Sequence, residues 1–186
     1  GGGDGGVLRE VLRHKNVEKA TLIDIDEDVI NASKKFLPTI NVALNNPRAD
    51  VRNMDAMKFV KESNDEFDVA IVDSTDPVEF AAGLFQAPFY NDVKNALKKD
   101  GMLVAQTESP FTDTHVVQGA WRQMKSVFPE VRMYWGAMPT YPSGMWTYTI
   151  GTKETDPSVP VRPAPDGTKY YTSEIHKASF VLPPFV

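Results

Sequence analysis

Two carboxylates three residues apart, Asp73 and Asp76, stand in the stretch Asp73-Ser74-Thr75-Asp76-Pro77, directly after the apolar run Phe67 to Val72. In a loop, that spacing can point both acids at one ligand. A diamine presents two ammonium groups and needs two anionic partners. It must also lose a proton before it can attack. An alkyl ammonium has a pKa near 10.4, so neutralising it at pH 7 costs about 4–5 kcal/mol. A desolvated carboxylate beside the nucleophile lowers that cost by accepting the proton. One acid of the pair would then anchor the ligand and one would act as base.

A second constellation opens the chain. Five glycines surround one acid in Gly1-Gly2-Gly3-Asp4-Gly5-Gly6, and Gly1, Gly3 and Gly6 satisfy G-x-G-x-x-G. Alone this is a weak signal. It gains weight because Asp24 follows Asp4 by twenty residues, at the end of the run Ala20 to Asp26. A ribose-binding carboxylate sits there in nucleotide-binding α/β folds. Asp24 would accept hydrogen bonds from both ribose hydroxyls. Asp55 would accept from the adenine amine, and the Ala56 amide would pair a ring nitrogen. Asp4 restricts what hangs from the adenosine. Helix-end amides attract a pyrophosphate, and a carboxylate among them repels it. Asp4 suits a cationic amine, such as the aminopropyl chain of decarboxylated S-adenosylmethionine. Each acid taken singly also fits a helix N-cap; five on one rim are harder to explain that way.

These residues need a scaffold that gathers strand ends. The spacing of Val7, Leu8, Val11 and Leu12 predicts a first helix. Ala20 to Asp26 reads as a buried strand, and Val29, Ile30, Ser33, Phe36 and Leu37 line a helix that Pro38 stops. Ala49 to Met54 reads as a strand and Ala56 to Lys61 as a helix. Phe67 to Ser74 is the strongest strand, a continuous buried run. A helix over Tyr90 to Lys98, a turn at Asp100-Gly101 and a strand over Met102 to Glu108 follow. After a helix over His115 to Phe128 come two late strands, Val131 to Met138 and Met145 to Thr152, which could pair antiparallel. Strands alternating with helices give an α/β fold with a mostly parallel sheet. Residues 1–153 read as one catalytic domain. Residues 154–186, with four prolines between Glu154 and Gly167, read as an arm and tail packing on that domain or on a neighbouring subunit.

The bulk properties are those of one domain with a real core. The net charge of −5 and the lack of a basic run argue against nucleic acid. There is no cysteine, which excludes disulfides and favours a reducing compartment, taken as the cytoplasm. No apolar run has the roughly 18 residues of a membrane span. His14, His115 and His176 are too scattered for a metal site. Trp121, Trp135 and Trp146 read as core or interface, with Trp146 near a motif.

The stretches GGGDGGVLREVL, LIDIDEDVI, VDSTDP, PTYPSGMWTYTIGTK and KYYTSEIHKASFVLP run from one end of the chain to the other. Together they resemble the polyamine aminopropyltransferases, most of all the bacterial spermidine synthases. The resemblance implies a Rossmann-like, methyltransferase-type domain in a homodimer or homotetramer. It implies transfer of an aminopropyl group from decarboxylated S-adenosylmethionine to putrescine, giving spermidine and methylthioadenosine. The sulfonium donor is a co-substrate, and no metal or further cofactor is implied. By motif, Asp73 is the general base, Asp76 holds the diamine with Ser74 and Thr75, and Tyr141 lies near the reacting amine. Gly1, Gly3, Asp24, Ile25, Asp55 and Ala56 take the nucleoside, and Asp4 takes the aminopropyl ammonium. Three departures stand out. Ala56 replaces a usual glycine. Val78-Glu79-Phe80 replaces Val-Gly-Pro in the loop over the nucleoside. The small N-terminal β-domain and first Rossmann strand that precede the glycines in the family are not in this sequence, so the chain is expected to be incomplete relative to a working enzyme. Two rival readings are a methyltransferase using S-adenosylmethionine and a truncated, non-catalytic homologue.

Overall fold

The structure, a computed structural model, describes residues 1–77 and 79–186, excluding the side chains of Glu79 and Phe80. The departure at Val78-Glu79-Phe80 therefore falls on Val78, outside the described residues, and on two side chains that are likewise not described. By contact, the chain divides into two compact units, Gly1–Glu62 and Ser63–Val186.

In the first unit, α1 (Gly6–Arg13) follows Gly5, whose φ of 81° is left-handed. Glycine adopts that conformation without steric cost. Arg48 donates to the carbonyls of Leu12, His14 and Val17, which occupies acceptors that the end of α1 leaves open. Strand β1 (Ala20–Asp24) leads into α2 (Glu27–Phe36). Asp26 caps α2 by accepting from the Asp28 and Val29 amides. Strand β2 (Ala49–Asn53) precedes α3 (Ala56–Glu62). It pairs parallel with β1, in a register that sets Asp24 against Asn53. Asp24 and Asp55 thus fall at the same end of this two-stranded sheet. Leu8, Leu12, Leu22, Ile30, Ala43 and Leu44 form the core beneath it.

The second unit holds β3 (Phe67–Val72), α4 (Ala87–Ala96), β4 (Leu97–Gln106), α5 (Thr114–Lys125), β5 (Glu130–Ala137), β6 (Met145–Thr152) and α6 (Ser173–Ser179). Its sheet runs β3-β4-β6-β5. Strands β3 and β4 are parallel, and β6 is antiparallel to both its neighbours. The two late strands pair as expected. Tyr90, Val93, Leu97, Leu103, Val117, Met124 and Phe128 are fully or almost fully buried. The tail lies against β5, where the Phe180 and Tyr134 rings are 5.5 Å apart.

Two expectations need correction. The helix before β4 ends at Ala96, and Lys98 to Gly101 belong to the strand instead of forming a separate turn. The register slips there, from Phe67↔Leu97 to Val69↔Met102, so four residues of β4 stand opposite one of β3 and three are in excess of the ladder. Strand β3 is not buried throughout: it carries Val69 and Ile71 on one face at 50% and 45% exposure. An unbroken apolar run identifies a strand but not which of its faces is covered.

Candidate functional site

In the first unit every candidate acid already has a backbone partner. Asp24 is 7% exposed. Its Oδ2 accepts from the Gly3 amide at 2.8 Å and its Oδ1 from the Asp26 amide at 2.9 Å. The glycine loop is therefore tied to the end of β1. A Cβ on Gly3 would stand 2.8 Å from that Oδ2 and 3.1 Å from Ile30 and Val29, which explains the glycine there. Asp4 Oδ1 accepts from the Gly6 amide at 2.9 Å, and Asp55 Oδ1 accepts from Met57 at 2.9 Å. Both bonds hold the first turn of a helix. Capping and ligand binding are compatible here, since a carboxylate offers about four lone-pair sites. Asp4 and Asp55 each have a whole oxygen beyond the bond described. Ile25 is 67% exposed, an apolar side chain left on the surface directly after Asp24. Gly1 is exposed, and Ala56 begins α3.

In the second unit, Asp73, Ser74, Thr75 and Asp76 leave the carboxyl end of β3 and line a cavity of about 480 Å³ with Tyr141. Gln106, Met138, Trp146 and Tyr148 complete its wall. Asp73 and Asp76 are exposed, where the sequence suggested a desolvated base. The Ser74 hydroxyl is buried without a partner among the described residues. Tyr141 stacks on Trp146, with ring centroids 4.2 Å apart and planes 23° apart. It sits on a turn closed by bonds from Tyr141 N to Met138 O and from Gly144 N to Tyr141 O. Strand β6 is fixed to the end of β4 by a buried hydroxyl cluster, with Thr107 Oγ1 3.1 Å from Thr147 and 3.2 Å from Thr149. Burial pushes the Tyr148 phenol up, and the Asp73 charge adds to that. The phenol therefore stays protonated at neutral pH.

Sequence reasoning missed Gln106, Glu108, Met138 and Tyr148, and it read Trp146 as core or interface, near a motif. Their signal was weak. Gln106-Thr107-Glu108 reads only as the polar end of a strand, yet a strand end beside Asp73 is where ligands collect. Glu108 is 4% exposed and has a φ of 73°. Burial raises its pKa, a bond from Gln106 pulls the other way, and the charges of Asp76 and Asp113 raise it further. A carboxyl whose folded pKa lies above its unfolded one costs stability when charged. That cost is present above the folded pKa and disappears as the pH falls through the ordinary carboxylate range. Glu108→Gln is therefore expected to raise Tm at pH 7, by about 2–4 °C for each kcal/mol relieved. The gain should fade toward pH 4. Thermal melts of both proteins across that range check it, and an equal gain at both ends would point to a packing effect.

Among the described residues, no group of His, Asp and Glu is arranged to hold a metal ion. None of the described helices is long and apolar enough to cross a membrane.

The acids at the carboxyl ends of parallel strands, on an α/β scaffold with an antiparallel late pair, mark a Rossmann-like fold of the methyltransferase type. Residues 1–162 match the model of the spermine/spermidine synthase domain. The whole chain is 56% identical to the polyamine aminopropyltransferase of Caldicellulosiruptor bescii and 50% identical to that of Desulforudis audaxviator, and spans 68% of each. It also matches a crystal structure of a spermidine synthase in complex with the transition-state analogue AdoDATO, with a TM-score of 0.92 and 45% identity. The spermidine synthase from Thermotoga maritima gives 0.90 and 46%. Both matches cover all of this chain and 65% and 64% of the solved chains. The chain belongs to the spermine/spermidine synthase family.

Proposed function

We propose that this chain carries the catalytic machinery of a spermidine synthase. Its relatives are polyamine aminopropyltransferases, and the observation that carries the reading here is the Asp73–Asp76 loop opening on a cavity with Tyr141. Putrescine lies in that cavity. Asp76 holds one end as an ammonium, and the carboxylate of Glu108 beside it adds negative charge. Asp73 takes a proton from the other amine, with Tyr141, Ser74 and Thr75 orienting it. The freed lone pair attacks the aminopropyl carbon bonded to the sulfonium. The new C–N bond forms as the C–S bond breaks, and its electron pair neutralises the sulfur. Spermidine and methylthioadenosine result. The leaving group begins positively charged, so positioning and electrostatics supply most of the rate. No metal or further cofactor enters this scheme.

The nucleoside residues are Gly1, Gly3, Asp24, Ile25, Asp55 and Ala56, with Asp4 on the aminopropyl ammonium. We place the enzyme in the cytoplasm as a homodimer or homotetramer, in keeping with its lack of cysteine, and treat residues 1–153 as the catalytic domain. Incubating the intact protein with decarboxylated S-adenosylmethionine and putrescine should yield equimolar spermidine and methylthioadenosine. Absence of both products would end the reading. A methyltransferase would bind S-adenosylmethionine tightly; here calorimetry should favour methylthioadenosine and the decarboxylated donor.

Asp4→Asn tests donor recognition cleanly. Asparagine keeps an Oδ1 to accept from Gly6 and loses only the charge. Affinity for the decarboxylated donor should fall by about 1–3 kcal/mol, while methylthioadenosine, which has no ammonium, binds as before. Equal losses for both ligands would assign Asp4 to loop structure alone.

A further inference from the structure

The Gln106 side chain lines the cavity and is 8% exposed. Its Oε1 accepts from the Trp146 indole N–H at 2.8 Å and from the Glu108 backbone N–H at 3.1 Å. Its Nε2 donates to the Ser74 carbonyl at 2.9 Å and to Glu108 Oε1 at 3.1 Å. An indole nitrogen and a backbone amide are donors only. The Ser74 carbonyl is an acceptor only. The amide can therefore face only one way, because the flipped orientation would set donors against donors and acceptors against acceptors. Both amide hydrogens and both oxygen lone pairs are used. Gln106 has no valence left for a ligand in this arrangement, although it borders the cavity.

The consequence runs outward in both directions. The Ser74 carbonyl held by Gln106 belongs to the residue directly after Asp73. Trp146, which orients the amide, also carries Tyr141 stacked on its face. Trp146 has two separate outputs, an N–H toward the Asp73 loop and a ring face toward Tyr141. We infer that Trp146 and Gln106 are positioning residues for the proposed reaction, with the indole N–H setting the amide that fixes the Ser74–Thr75 peptide, between Asp73 and Asp76, and the indole face setting the Tyr141 phenol. This rests on the spermidine synthase reading for its kinetic consequence, but the hydrogen-bonded chain itself does not.

The two outputs separate by substitution. Trp146→Phe keeps an aromatic face for Tyr141 and removes the N–H. In the intact protein it should lower kcat by about three- to tenfold, the size of one lost neutral hydrogen bond, and leave the putrescine KM within about twofold. Trp146→Leu removes the face as well and should raise KM in addition. Gln106→Leu breaks the chain at its centre, so adding Trp146→Phe to it should change kcat no further. Independent, multiplying losses in that double variant would overturn the inference.

A readout that needs no turnover accompanies the kinetics. The Trp146 indole proton, identified by its disappearance in Trp146→Phe, should exchange slowly with solvent in the wild type and faster in Gln106→Leu. Gln106→Glu provides a second variant. It keeps an acceptor for the indole and removes the donor to Ser74, so the proton should stay protected while kcat falls. Unchanged exchange in Gln106→Leu, or unchanged kcat in Gln106→Glu, would overturn the proposal. A wild-type protein without aminopropyl transfer would instead refute the function, and the exchange experiment would still decide the chain.

Discussion

Asp73→Asn is expected to lower turnover by about a hundredfold to ten-thousandfold, the usual range for loss of a general base. The residue sits at the mouth of β3, on the wall of the cavity that would take the diamine. Asparagine has nearly the same shape, so the loop should survive the change. What it lacks is a site for the proton. Raising the pH should partly rescue the variant, because more diamine then arrives neutral. Asp76→Asn should behave differently. It leaves the base in place and removes a partner for the far ammonium, so the putrescine KM should rise and alkali should help little. A pair of pH–rate profiles on folded protein, with putrescine varied at saturating donor, separates the two. Were both acids only turn-forming residues, both variants would melt earlier and keep normal kinetics per folded molecule. Near-normal turnover of Asp73→Asn at neutral pH would remove Asp73 from the role of base.

The behaviour of these acids shows where sequence reading succeeds and where it stops. Asp73 and Asp76 were legible because an apolar run that ends in polar residues fixes a strand end, and strand ends in α/β sheets carry ligands. Asp4, Asp24 and Asp55 were legible as a group for the same reason. Their second occupation was not. The sequence leaves capping and ligand binding as alternatives, whereas Asp24 ties down Gly3 through one oxygen and the Asp26 amide through the other. Such pairing depends on the approach of a loop to a strand end, which no local periodicity encodes. Gln106 was hidden for a related reason. Its meaning comes from Trp146, forty residues later, through the antiparallel register that sets Gln106 against Tyr148. The pairing of β5 with β6 was visible as two apolar runs either side of a turn, but the register that decides which side chains meet was not. The bulge at Lys98 to Gly101 escaped because Asp-Gly is a strong turn signal, and here the ladder closes around it. Val69 and Ile71 show the opposite failure, where local composition was clear and the extent of cover was not.

Asp24 carries the other large expectation. Asp24→Asn should weaken methylthioadenosine by about a hundredfold, or about 2.7 kcal/mol, which is within reach of two charge-assisted hydrogen bonds to a ribose. Part of any loss could come from the loop instead. Asparagine has one acceptor oxygen where the carboxylate has two, so either the Gly3 or the Asp26 amide must face an NH2 group. That buried mismatch should cost stability, by about 1–3 kcal/mol. The 2′-deoxy form of methylthioadenosine separates the two effects. If Asp24 accepts from the ribose, wild type should bind the deoxy ligand more weakly than the ribo ligand, and Asp24→Asn should largely lose that preference. If Asp24 only anchors the glycine loop, the variant should weaken both ligands by the same factor and keep the wild-type preference between them. Gly3→Ala is the matching change on the other side of the contact. Its Cβ would stand 2.8 Å from Asp24 Oδ2, so the carboxylate must move while its charge remains. Calorimetry of both ligands against the three proteins gives the answer. A ribo-to-deoxy preference that is the same in wild type and Asp24→Asn would remove Asp24 from the ribose site and leave it as the fastening of the loop.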